Sequence, residues 1–123
     1  MSFLSDARVS LKALLEGGGY RAYDYRPDRL SPPAAVIEYG DPYLVPGQTF
    51  REWSVSLQLV AIVAPATNQK STELLDEAIA DLVELLRGEW TVQSVRPVFT
   101  DVGDKAYLAA EIQIQNQLTK EST

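Results

Sequence analysis

The chain has 123 residues, 46% of them hydrophobic and 23% charged, a balance that suits one soluble globular domain built on a single core. It contains neither cysteine nor histidine, which excludes disulfide frameworks, thiolate metal sites and histidine-based hydrolase triads. The net charge of −6 disfavours a broad electrostatic grip on nucleic acid, because such binding depends on Lys and Arg displacing phosphate counterions.

Residues 5–16, SDARVSLKALLE, together with Leu4 place Leu4, Ala7, Leu11, Leu14 and Leu15 at helical spacing. Ser5 or Asp6 is the expected N-cap, and Gly17-Gly18-Gly19 is the expected stop. Tyr20 to Tyr25 alternates aromatic and polar residues ahead of Pro27, which predicts a short strand near a sheet edge. Residues 26–33, RPDRLSPP, read as extended linker. Ala34 to Tyr39 is a second strand, stiffened at its entry by Pro32-Pro33 and ended by Gly40-Asp41-Pro42. From Pro42 to Arg51 no period can be counted, and Pro46-Gly47 marks a turn, so this stretch is expected to be a long connecting loop or the tip of an extended hairpin.

Residues 53–63 form the clearest strand. Trp53, Val55, Leu57, Leu59, Ala61 and Val63 alternate with Ser54, Ser56 and Gln58, until Val60 and Ile62 make both faces apolar. Pro65 closes it, and Thr67 or Asn68 is the expected cap of the next helix. That second helix, about residues 69–87, carries Leu74, Leu75, Ala78, Ile79, Leu82, Val83 and Leu86 on one stripe and stops at Gly88. Thr91 to Thr100 is a strand in which Pro97 argues for an edge or a bulge, Asp101 to Asp104 is a turn, and residues 106–115 alternate Leu108, Ala110, Ile112 and Ile114 against Glu111, Gln113 and Gln115. The expected fold is a single α+β domain: an antiparallel or mixed β-sheet of about five strands packed by two helices, in the order α-β-β-β-α-β-β, with 119–123 frayed.

No apolar run approaches the roughly 20 residues of a membrane span, and residues 1–6 lack the basic start and apolar block of a signal peptide, so no membrane partner is expected and the protein is expected to stay where it is made. A search for chemistry returns surfaces instead of sites. Glu73, Asp76, Glu77, Asp81 and Glu84 recur at three- and four-residue spacing opposite the apolar stripe, as a solvated helix face does. The three glycines follow a helix instead of opening one, so they read as a helix cap, not a phosphate loop. Tyr43, Phe50 and Trp53, around the predicted loop, are the aromatics best suited to an interface. Ser54, Ser56 and Gln58, with Gln113, Gln115 and Gln117, make uncharged rows with little of the Lys that guards sheet edges. Such rows belong either to an ordinary solvated sheet face or to a face that meets another subunit or lines a passage.

The segment PPAAVIEYGDPY, the long loop into WSVSLQLVAIV, the acidic helix ELLDEAIADLVELL and the final hairpin together resemble the tail terminator proteins of long-tailed bacteriophages. The likeness is closest to those of phages infecting actinobacteria, extends by element order to the lambda-type group, and covers about Ala7 to Leu118. It implies a structural virion protein, not an enzyme, that is made in the host cytoplasm and needs no cofactor or metal. Such subunits close into a homo-oligomeric ring, a hexamer in the family, at the head-proximal end of the tail. The ring stops polymerisation of the tail tube protein and presents a surface to a neck or connector protein, while DNA passes through without specific binding. The family offers no catalytic residues to carry over. The expected subunit or tube contacts are Tyr43, Leu44, Val45, Phe50 and Arg51 on the loop, and the expected lumen-facing residues are Gln113 and Gln115. The alternatives are another small head-tail connector subunit, such as a head-closure protein, and a small enzyme using carboxylates such as Asp41, Glu73 or Asp76.

Overall fold

A computed structural model describes residues 2–27, 29–47, 51–63, 68–103 and 105–119. The first helix, α1 (Phe3–Gly17), begins earlier than the sequence pattern indicates: its N-cap is Ser2, not Ser5 or Asp6. Ser2 is extended, and its Oγ accepts the N–H of Ser5 at 3.0 Å, so it satisfies one of the orphan donors of the first turn. The helix ends as its glycines predict. Gly19 takes φ +92°, the Tyr20 N–H returns to the Leu15 carbonyl at 3.1 Å, and the Gly19 N–H returns to Glu16 at 3.0 Å, the paired bonds of a Schellman cap.

Strand β1 (Ala22–Tyr23) is shorter than the alternation of residues 20–25 suggests, but it lies at the sheet edge as expected, parallel to β2 at Ala35 and Val36. β2 (Ala34–Pro46) overturns one expectation. Gly40-Asp41-Pro42 does not end the strand: β2 pairs with β3 (Glu52–Ile62) up to Tyr39↔Leu57, bulges, and resumes at Leu44↔Val55. Residues 40–43 therefore stand against Ser56 alone. Proline is tolerated there because a bulged residue owes no N–H to the ladder. The expected long loop is thus the extended hairpin of the two readings, with Gly47 N–H bonded to the Glu52 carbonyl at 2.8 Å near its tip.

The remaining elements are α2 (Asn68–Leu86), β4 (Thr91–Val102) and β5 (Lys105–Thr119). They complete a five-stranded mixed sheet in the order β1-β2-β3-β5-β4, an α+β fold with the expected succession of elements. β4 is an edge strand with a bulge between Val92 and Ser94, so Pro97 sits where a missing donor costs least. The β4–β5 turn is tight, with Gly103 at φ +65° and Val102 opposite Lys105. Pro65, Thr67 and Asp104 lie outside the described residues, as do residues 120–123; Thr119, expected to be frayed, pairs with Glu52.

Both helices cover one face of the sheet. Ala7, Leu11 and Leu15 of α1 and Leu75, Leu82 and Leu86 of α2 pack on Ile37, Val55, Leu57, Leu59, Ala110, Ile112 and Ile114. The opposite face holds a smaller cluster, Val36, Val60, Ile62 and Ala109, with Leu30, Val98 and Tyr107 around it. Arg26 shows how that cluster is enclosed. Its Nη1 donates to Glu38 on β2 at 3.3 Å, and its Nη2 donates to the Thr100 hydroxyl at 3.4 Å and the Asp101 carbonyl at 3.2 Å on β4. One guanidinium reaches β2 and β4 although β3 and β5 lie between them, so the sheet curls around the small cluster.

Candidate functional site

Tyr43, Leu44 and Val45 sit on β2, not on a loop. Leu44 and Val45 pair with Val55 and Ser54, and Tyr43 occupies the bulge. Tyr43 and Leu44 pack partly against the main core, because the bulge turns successive residues inward. Arg51 is exposed in the turn before β3, and Phe50 lies outside the described residues. The tertiary structure brings to this strand a residue that sequence reasoning missed. Arg8 of α1 donates from Nη2 to the Tyr43 hydroxyl at 2.9 Å, and its guanidinium carbon lies 4.5 Å from the centre of the Tyr39 ring. Tyr39 and Tyr43 meet edge to face, with ring centres 4.8 Å apart. Desolvation works against the charged form of Arg8, but its interactions with Tyr39 and Tyr43 outweigh it and hold the pKa above its ordinary value.

The signal for Tyr39 was present in its spacing from Ile37, since residues two apart share a face of a strand. For Arg8 there was none, because helical periodicity places it beside the apolar stripe without saying which strand lies beneath.

Gln113 and Gln115 point away from the helices, on the same face as Ser54, Ser56 and Gln58. Register places Gln58 opposite Gln113, Ser56 opposite Gln115 and Ser54 opposite Gln117. The two uncharged rows are therefore one array. The Gln113 amide donates to the Gln58 side chain, the Gln115 amide donates to the Ser54 hydroxyl, and Gln93 on β4 donates to Gln115 at 2.8 Å. Ser54 and Ser56 are buried and not solvated, while Gln58, Gln113 and Gln115 are half-buried. Glu111 and Arg96 close the margin as an ion pair, so the charge there is balanced.

On α2, Glu73, Asp76, Glu77, Asp81 and Glu84 lie on the side away from the core, and Glu73, Asp76 and Glu84 are well exposed or paired at the surface, as a solvated face requires. Glu73 pairs with Lys70 and Glu84 with Arg87, both three residues apart. Asp41 lies on β2, far in sequence and on a different element from Glu73 and Asp76. Among the described residues no three acidic side chains come together in a metal-holding group, and none of the helices is long and apolar enough to cross a membrane. Tyr20 stands beside Asp81, and burial first, then the Asp81 carboxylate, push its phenol pKa up. Comparison of the sequence with protein-family models and with curated proteins finds no match to either.

Proposed function

We propose that this chain is the subunit of a ring-forming tail terminator of a long-tailed bacteriophage. In this reading it is a structural virion protein, not an enzyme. It caps the tail tube at the head-proximal end, stops its polymerisation and joins the tail to the neck. The reading starts from the resemblance of PPAAVIEYGDPY, the acidic helix and the element order to that family. The observation that carries it further is the array of Ser54, Ser56, Gln58, Gln93, Gln113 and Gln115 on the helix-free face of the sheet.

Five of these six residues donate to or accept from one another, so their dipoles are largely engaged within the wall. Such a surface offers passing DNA no row of cations to adhere to, and no block of carboxylates to oppose it. Turned toward the lumen of a ring, it would act as a passive lining. The acidic α2 would then lie on the outside, on the other side of the sheet.

The test is electron microscopy of the purified protein, alone and with tail tubes. Closed rings of uniform diameter that sit on one tube end are expected, and a monomer unaffected by tubes overturns the reading. Loss of the protein during assembly should leave tails of unregulated length. Tails of normal length that fail to join heads would instead favour a head-closure subunit.

A further inference from the structure

Strand β2 is held in two separate stretches. From Ala34 to Tyr39 it pairs with β3, and at Ala35 and Val36 with β1 as well. From Leu44 to Pro46 it pairs, among the described residues, with β3 alone, opposite Val55, Ser54 and Trp53. Residues 40–43 interrupt the ladder between the two, so no continuous row of backbone bonds ties the far stretch to the near one. The Gly47 N–H donates to the Glu52 carbonyl at 2.8 Å. Bonded and non-bonded pairs alternate along an antiparallel ladder, so Val45↔Ser54 is the next bonded pair and Leu44↔Val55 is not. A few backbone bonds therefore hold the far stretch, and its apolar support is thin: Leu44 is partly buried against the core, and Pro46 is exposed.

A side chain of α1 spans the interruption. Arg8 donates to the Tyr43 hydroxyl at 2.9 Å, and its guanidinium carbon lies 5.6 Å from the centre of the Tyr43 ring and 4.5 Å from that of Tyr39. Tyr39 is the final paired residue of the near stretch, and Tyr43 directly precedes the far one. The two rings also meet each other edge to face. One cation thus clasps both sides of the gap, through a charged hydrogen bond and two ring faces. Beside it lies a cleft of about 400 Å³ with Asp24 and Glu38 on its walls, which gives the guanidinium room to swing away without entering the core.

We propose that Arg8 is a latch, and that residues 44–47 are an edge strap that opens and closes on β3 as a unit. With Arg8 clasping Tyr43 to Tyr39, the strap is shut. It opens while the rest of the sheet stays folded, because β3 keeps β5 along its other side from Glu52 to Ile62. Local opening of this kind costs less than unfolding where few contacts cross the boundary. The latch goes beyond the ring reading and stands whether or not the chain forms one.

The test is native-state amide exchange, read by NMR on the full chain and on Arg8→Ala and Tyr43→Phe. Val45, Gly47 and Ser54 report the strap. Val55, whose N–H alternates to the β5 side, and Ile112 report the rest of the sheet. Arg8→Ala should quicken exchange at the strap amides on the order of 10- to 100-fold, the effect of losing a hydrogen bond from a charged group, and should leave Val55 and Ile112 within about 3-fold of the unaltered protein. Tyr43→Phe keeps the ring and loses the hydroxyl, so it should quicken the same amides by less. Unchanged exchange at the strap amides in Arg8→Ala overturns the latch. Equal quickening at Val55 and Ile112 overturns it too, because Arg8 would then support the whole fold. If Arg8→Ala does not fold, Tyr43→Phe decides alone: selective quickening at the strap amides supports the latch, and its absence overturns it.

Discussion

Gly40→Ala should destabilise the domain although it adds one methyl group to a strand. Gly40 sits at the start of the β2 bulge, pressed against β3. A Cβ built there would lie 2.5 Å from the Ser56 carbonyl oxygen, 2.6 Å from its carbon and 2.8 Å from its Cβ. Two of the three obstacles are backbone, so they cannot move aside as the tip of a flexible side chain would. Overpacking of this kind costs about 1–3 kcal/mol. Alanine also has fewer unfolded conformations than glycine, which offsets about 0.4–1 kcal/mol where the backbone suits it, as the ordinary φ at Gly40 allows. The net loss is about 1–2 kcal/mol, a fall in Tm of roughly 3–10 °C for a domain of this size. Urea unfolding followed by the fluorescence of Trp53 and Trp90 measures it, with m unchanged if the two-state transition is preserved. Gly88→Ala is the control: a Cβ there meets nothing within 4 Å, so its stability should stay level or rise slightly. If Gly40→Ala is as stable as the unaltered protein, the close approach of β2 to Ser56 is wrong, and with it the placement of Tyr39 just before the bulge and Tyr43 within it.

Ser54→Ala removes the acceptor of the Gln115 amide at a buried position and should cost about 0.5–1.5 kcal/mol; a double-mutant cycle with Gln115→Ala that finds no coupling would remove that bond from the account. Arg26→Ala should change global stability by less than about 1 kcal/mol because its ion pair is exposed. Amide exchange at residues 99–103 should nevertheless quicken, and unchanged exchange there would mean that Arg26 does not hold the β4–β5 hairpin. Tyr20 has its pKa raised by folding, so its neutral form contributes stability that is complete below about pH 10 and is lost as pH rises through the higher folded pKa. Spectrophotometric titration should therefore show one phenol ionising late, and Tyr20→Phe should abolish that late step and flatten the alkaline decline in stability.

The range of each signal decides how much of the molecule was legible in the sequence. The stripe of α2, the alternation of β3 and β5 and the glycine stop of α1 are local periodicities, and each formed as its spacing indicates. Gly40-Asp41-Pro42 misled because Gly and Pro punctuate a chain only where the ladder needs every N–H; in a bulge that demand is suspended, and β2 runs on to Pro46. The Ser and Gln rows were visible as rows, but not as partners.

From sequence alone came the class of the fold, the succession of its elements and the faces of α2, β3 and β5, because these depend on residues a few positions apart. Only the tertiary structure decided that β5 enters between β3 and β4, which sets Gln113 beside Gln58 and buries Ser54 beneath Gln115. It also decided that α1 lies over β2, which places Arg8 on Tyr39. A period of 2 or 3.6 residues states which way a side chain points, whereas the group it meets is set by register and packing between segments distant in the chain.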